Sequence, residues 1–379
     1  MLKNWIYMDN AATAKMKPEV LRAMEPYLTR QYYNPSANYE PARKCRDAVE
    51  NARESVARVI GAKPEEIFFT SGGTEADNWA IFSCVGRRRG TLVTSAIEHH
   101  AVLHAARRDK MVPVELVGVD CHGVIDLERL KELLLGEVCL VSIMAANNEI
   151  GTVEPLKEIS RLTGAAKVPF HSDAVQAFGQ IPLSVKETGV DMLSGAAHKL
   201  GGPKGVGFLY VREEMELLGM IKGGEQERGK RAGTENVAGI VGFGKACEMA
   251  MYKMEEKIKH ETMLRDYMIH EIEKRISGVH LNGSRKCRLP NNIHFTFDKV
   301  RGDALLALLE EQGILASAGS ACNSSNTEPS HVLTEIGLDE EAVRNSLRFT
   351  IQPDMKIRQI DYVVDAIVQS VHYLRSITP

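Results

Sequence analysis

Short apolar runs alternate with amphipathic stretches from about residue 15 to about residue 255. The runs Ile67-Phe68-Phe69-Thr70, Thr91-Leu92-Val93-Thr94, Val138-Cys139-Leu140-Val141-Ser142-Ile143, Val168-Pro169-Phe170-His171-Ser172 and Asp191-Met192-Leu193-Ser194 read as strands. Near-continuous apolar strands with helices between them predict a mainly parallel sheet covered on both faces, an α/β architecture. Residues 244–276 carry long helical periodicity with many charges and are expected to connect two units. Beyond them Asn292-Ile293-His294-Phe295-Thr296-Phe297 alternates as a strand and further helices follow, which predicts a smaller α+β unit. The pattern shows no internal repeat and no low-complexity segment.

The bulk numbers fit that picture. A chain of 379 residues is too long for one ordinary core at roughly 150 residues per domain, and two domains is the working reading. Hydrophobic residues make up 44% and charged residues 26%, which suits a packed protein rather than a disordered or fibrous one. The net charge of -3 supplies no global field for nucleic acid or anionic lipid, so an anionic ligand has to be bound locally. No window approaches the ~20 apolar residues that cross a bilayer, and the start has no apolar core of signal-peptide length, so a cytoplasmic protein is expected. The seven cysteines are widely and irregularly spaced without a CxxC pair, which argues against a disulfide framework or a metal site. Free thiols are expected, six of them as small core side chains.

Three segments carry candidate chemistry. Thr70-Ser71-Gly72-Gly73-Thr74-Glu75 is a glycine turn from a strand into a helix that begins near Thr74, where exposed N–H groups and the helix dipole suit a phosphate. An ordinary strand-to-helix turn capped by Thr74 would read the same way. Ser194-Gly195-Ala196-Ala197-His198-Lys199-Leu200-Gly201-Gly202 places a lysine after a strand, where α/β sheets bind ligands and where a lysine can form a Schiff base. His171-Ser172-Asp173-Ala174-Val175-Gln176 ends an apolar strand on a carboxylate that could hold a pyridinium nitrogen protonated, or merely cap the next helix. Together a phosphate cradle, Asp173 and Lys199 supply the three attachments that pyridoxal phosphate needs.

These segments closely resemble the class V aminotransferase family, and within it the cysteine desulfurases of the NifS and IscS type. The likeness runs through Tyr7-Met8-Asp9-Asn10-Ala11-Ala12-Thr13, Asn34-Pro35-Ser36, Thr70 through Asn78, Glu98-His99, Asn147-Asn148-Glu149-Ile150-Gly151, His171 through Gln176, His198-Lys199, Arg231 through Asn236 and Ser320-Ala321-Cys322. The resemblance implies the fold type I of pyridoxal-phosphate enzymes. A large domain over 15–256 would hold a mainly parallel seven-stranded sheet, and 1–14 with 257–379 would form a small domain carrying a mobile catalytic-cysteine loop.

By the same resemblance, Lys199 holds the cofactor covalently, Asp173 pairs with its ring nitrogen and His99 stacks on the ring. Gly73, Thr74, Ala196 and His198 border the phosphate, and Thr234 reaches it from the second subunit of a homodimer. Gln176 and Asn148 contact the ring oxygen and substrate, and Asn34 and Arg348 bind substrate, the arginine as a two-pronged clamp on its carboxylate. Cys322, in the polar stretch Gly319-Ser320-Ala321-Cys322-Asn323-Ser324-Ser325, takes sulfur from L-cysteine as a persulfide and leaves alanine. A sulfur-acceptor protein, such as an iron–sulfur scaffold or a tRNA-thiolation enzyme, is the implied partner, with no direct nucleic-acid contact, membrane or metal.

The sequence departs from that pattern at several positions. Ala196 stands where a phosphate-binding serine is usual, and Ala197 where a glycine precedes His198. Tyr39 and Ala42 replace a histidine and a glycine, and Thr350-Ile351-Gln352-Pro353 lacks a glycine and a basic residue. These changes bear on substrate identity more than on cofactor use. A selenocysteine lyase or another β-lyase is the alternative enzyme, and a non-catalytic dimeric scaffold is disfavoured by the intact Lys199, Asp173, His99 and Cys322.

Overall fold

The computed structural model describes residues 5–108, 112–318 and 329–377. Its strands in chain order are β1 (Ile6–Tyr7), β2 (Ile67–Thr70), β3 (Thr91–Ser95), β4 (Val114–Val117), β5 (Val138–Ser142), β6 (Phe170–Asp173), β7 (Met192–Ala196), β8 (Gly207–Val211), β9 (Val279–Leu281), β10 (Asn292–Phe297), β11 (Ile314–Leu315) and β12 (Ser346–Thr350). A seven-stranded sheet takes the order β2-β8-β7-β6-β5-β3-β4. Strands β4, β3, β5, β6 and β7 run parallel, whereas β8 is antiparallel to both β2 and β7. The parallel strands are short and apolar because helices cover both faces, leaving no polar face to alternate with.

The apolar contacts divide accordingly. One core centres on Val141, Phe170, Phe178, Phe208 and Phe243, and a second lies across the sheet around Trp79, Leu92, Leu140 and Leu209. A separate core gathers Met8, Leu264, Met268, Phe295, Phe297, Phe349 and Val364. It lies on the antiparallel sheet β12-β10-β9, with the long helix Ile357–Ile377 packed beside it.

Two expectations change. The helical run over 244–276 is two helices, Val237–Met251 and Met254–Arg275, broken where Lys253 takes a left-handed backbone at φ 54°. The first is mostly apolar, with nine of its fifteen residues buried, whereas the second is rich in charge and buries chiefly Leu264, Met268, Ile269 and Ile272 on one face. Of the cysteines, Cys45, Cys84, Cys139 and Cys247 are buried and free, but Cys121 and Cys287 are exposed on surface turns.

Candidate active site

The carboxyl ends of the parallel strands converge on one cavity of about 250 Å³. Register pairs Asp173, the last residue of β6, with Ser194 of β7. Strand β7 then runs out at Ala196 into the tight turn Ala197–Lys199, which brings Lys199 to the same edge. Its Nζ donates to the carbonyls of Ala11 and Ala12, the latter at 2.9 Å, so the N-terminal segment aims the amine. Gln176 Nε2 donates to the same Ala11 carbonyl at 3.0 Å.

On the opposite wall β2 turns into the helix Gly73–Val85, whose first residues Gly73 and Thr74 line the cavity. A glycine is required at 73, since a Cβ there would meet Val175 Cγ2 at 2.5 Å. Glu75 in that first turn is tied by Arg231 at 2.9 Å and by the Ser71 N–H at 2.8 Å, which locks the helix entry. His198 shares a 3.2 Å hydrogen bond between Nδ1 and Thr13 Oγ1, and burial together with Lys199 and Lys204 pushes its pKa down to about 4.

His99 follows β3. Its Nδ1 accepts the Ala101 N–H at 3.1 Å, which leaves the ring proton of the neutral form on Nε2. Burial lowers its pKa and outweighs the attraction of Asp173, so the neutral ring is favoured. Asp173 Oδ1 accepts the Val175 N–H at 2.8 Å, and burial raises its pKa against the pull of His99 and Lys199.

Two further acids were not singled out from the sequence. Asp77 and Glu98 line the cavity almost wholly buried, and burial first, then the charge of Asp173, raises both well above the ordinary range. Asp77 lies one helical turn after Gly73, a spacing that could have found it. Asp77 Oδ1 sits 3.7 Å from His171 Nε2, itself 2.9 Å from Ser194 Oγ, and that histidine is pushed down to about 3 by burial.

Arg348, in the middle of β12, reaches the cavity from the other sheet. Its guanidinium donates to Asp9 Oδ1 at 2.7 Å and to the Asn148 carbonyl at 2.9 Å. The cavity therefore brings together Gly73, Thr74, His99, Asn148, Asp173, Gln176, Ala196, His198, Lys199 and Arg348. Asn34 and Thr234 are not among its walls. Both are exposed on loops, with Asn34 Oδ1 occupied by the Ser36 N–H at 2.9 Å. Cys322 lies outside the described residues.

The Aminotransferase class-V family model matches residues 6–363. The chain belongs to the class V aminotransferases. It is 46% identical to the protein named cysteine desulfurase IscS from Dictyoglomus turgidum, over 100% of this chain and 97% of that one. It is 44% identical to the cysteine desulfurase IscS of Methanosarcina thermophila, over 99% and 94%. Among solved structures, a NifS-like protein superposes with a TM-score of 0.91 at 36% identity, covering 97% of this chain and all of that one. SspA in complex with cysteine superposes at 0.79 with 35% identity, covering 92% and 99%.

Enzymes of this class V family use pyridoxal phosphate, and the donor set here fits that group. A buried carboxylate suits a pyridinium, a helix N-terminus suits a phosphate dianion and a directed primary amine suits an aldehyde. Asp77 Oδ1 and Glu98 Oε2 have no hydrogen-bond partner among the described residues, as befits a wall completed by a ligand. Among the described residues no group of side chains could hold a metal ion.

Proposed function

We infer that this chain is a cysteine desulfurase that converts L-cysteine to L-alanine and leaves the sulfur on Cys322. The observation that carries the reading is the meeting of Lys199, Asp173 and His99 around one cavity, with Arg348 entering from the second sheet. Lys199 would hold pyridoxal phosphate, Asp173 its ring nitrogen, His99 its ring face, and Gly73, Thr74 and His198 its phosphate. Ala196 would border that phosphate, and Gln176 would face the ring oxygen. The bound cofactor supplies an electron sink that acidifies the substrate α-carbon and loosens its C–S bond.

The protein side of the reaction divides into binding, proton transfer and sulfur transfer. Arg348, oriented by Asp9 and the Asn148 carbonyl, takes the substrate carboxylate. Lys199 Nζ takes the α-proton and later returns a proton to carbon as alanine forms. His99, held neutral by burial, exchanges a proton with the substrate without repelling Lys199. The Cys322 thiolate forms a bond to the substrate sulfur as the C–S bond breaks, so the electron pair of that bond stays with the alanine carbon. The products are alanine and a Cys322 persulfide, which a sulfur-acceptor protein for iron–sulfur assembly or tRNA thiolation removes.

A homodimer is part of this reading, because the exposed Thr234 loop lies away from its own cavity and would border a partner's, as would Asn34. Two domains, 15–256 and 1–14 with 257–379, are supported by the separate apolar cores. No helix among the described residues is long and apolar enough to cross a membrane, which supports a cytoplasmic placement. The deciding experiment gives the purified enzyme L-cysteine. Alanine should form and mass spectrometry should find one added sulfur on the Cys322 peptide. Cys322→Ser should bind cofactor and substrate but release no sulfur. Turnover confined to selenocysteine, or parental sulfide release by the serine variant, would sink the reading.

A further inference from the structure

A second cavity, of about 410 Å³, lies behind the turn that carries Lys199. Its walls hold Lys15, Lys17, Lys257, Glu261, Gln180 and Asp354. Lys15 and Asp354 are exposed and mark its mouth, whereas Glu261, on the helix Met254–Arg275, is fully buried at its inner end. Neither Glu261 oxygen has a hydrogen-bond partner, and the Lys17 ammonium has neither a hydrogen bond nor an ion pair, among the described residues. A Cβ on Gly201 would meet the Lys17 side chain at 3.1 Å, so the Lys17 stem runs close past the Lys199 turn.

The buried, unpartnered Glu261 carboxyl is costly to leave unfilled, and the half-buried Lys17 ammonium offers the opposite charge around the same space, so the two call for opposite partners. Burial and Lys257 lower the pKa of Lys17, while burial pushes Glu261 up to about 7 against Lys257, His260 and Lys17. A plain anion would face Glu261 and Asp354. A plain cation would face Lys15, Lys17 and Lys257. We propose that this cavity binds a small zwitterion of the α-amino-acid class, its carboxylate toward Lys17 and Lys15 and its ammonium toward Glu261.

Occupancy would be felt at the catalytic turn. Lys257 Nζ donates to Gln180 Oε1 at 2.9 Å, and Gln180 Nε2 donates to the Lys199 carbonyl at 3.2 Å. This site is separate from the one that carries the desulfurase reading, since Lys199 is the only described residue that lines both cavities.

The test uses the holoenzyme and N,N-dimethylglycine, which keeps a carboxylate and one N⁺–H but cannot condense with an aldehyde as a primary amine does. Calorimetry should show saturable binding with no change in cofactor absorbance. Glu261→Gln and the surface variant Lys17→Met should each weaken it at least tenfold, and acetate or dimethylethylamine should bind at least tenfold more weakly than the zwitterion. The proposal is overturned by any of four results: no saturable binding, equal binding in both variants, acetate binding as well as the zwitterion, or displacement of the probe by an active-site ligand together with a cofactor spectral change.

Discussion

Two buried charged clusters of similar depth, packed against opposite ends of the large sheet, are built in opposite ways. Arg53 and Glu227 close on each other through paired contacts of 2.8 and 3.0 Å. The arginine also donates to the Ile67 carbonyl at 2.9 Å, and the carboxylate accepts the Phe69 N–H at 2.9 Å. The guanidinium lies 4.7 Å from the Phe69 ring centre, so even its face is covered. At the other ends of the strands Asp77, Glu98 and Asp173 are as deeply buried, yet the three carboxyls share one cavity, and Asp77 Oδ1 and Glu98 Oε2 have no hydrogen-bond partner among the described residues. A charge that supports the fold is closed by its own chain. A charge kept for a ligand stays open and drifts toward its neutral form, as the raised values of these acids show.

The largest break in that comparison removes the one lysine that lines the open cluster among the described residues. Lys199→Ala should lower desulfuration by ~10⁴-fold or more, since covalent cofactor attachment and α-proton transfer are lost together. Borohydride should no longer fix cofactor to the protein. Persisting attachment would move the assignment to another lysine. The closed cluster should fail differently: Arg53→Met strands Glu227 and should reduce stability by about 3–5 kcal/mol while leaving the cofactor spectrum of the folded fraction intact. Urea unfolding read beside absorbance separates the two, and a loss under 1 kcal/mol would mean that the pair is not fully desolvated.

Much of the open cluster was legible because strand ends are legible. An apolar run that stops on Asp173, and another followed by a glycine-flanked Lys199, put two functional groups at one sheet edge before any coordinate is known. Asp77 and Glu98 were harder. Their significance lies in burial against Asp173, a contact between segments far apart in sequence, and an acid in a helix or loop reads as solvated by default. Glu261 was hidden in the same way, on a helix whose other charges do face water. The antiparallel β8 escaped because its apolar pattern matches that of its parallel neighbours, and direction is set by connection rather than by composition. Asn34 and Thr234 marked loops that a single chain does not fold into its own cavity.

Glu154 is an intermediate case that sharpens the contrast. One oxygen accepts the Ile125 N–H at 3.0 Å and the other has no partner among the described residues. Burial pushes its pKa up to about 8, aided by Asp120 and opposed by that N–H. A carboxyl raised on folding stabilises the native state at low pH, and that contribution fades as pH climbs from about 5 through 8. Glu154→Gln should flatten the decline. Denaturant unfolding at pH 5 and pH 8 should show the parent losing about 3 kcal/mol more than the variant across that window. Parallel losses would show that Glu154 is solvated and ionised in the native protein.

The smallest expected effect adds one group to the open cluster. Ala196 ends β7, is 1% exposed, lines the cavity and pairs in register with Gly207, so its side chain has a glycine for its cross-strand neighbour. A serine hydroxyl therefore fits without displacing a bulky side chain. Ala196→Ser should add one donor toward the phosphate and tighten cofactor binding by about 1 kcal/mol, roughly fivefold, because part of a charge-assisted bond is offset by the water it replaces. Without cofactor the same hydroxyl has only cavity water, so the apo variant should gain no stability while the holo variant does. Equilibrium dialysis and paired melting curves of apo and holo protein read both halves. Equal shifts in the two forms would mean that the hydroxyl bonds to the protein itself, and position 196 would then belong with the closed charges rather than the open ones.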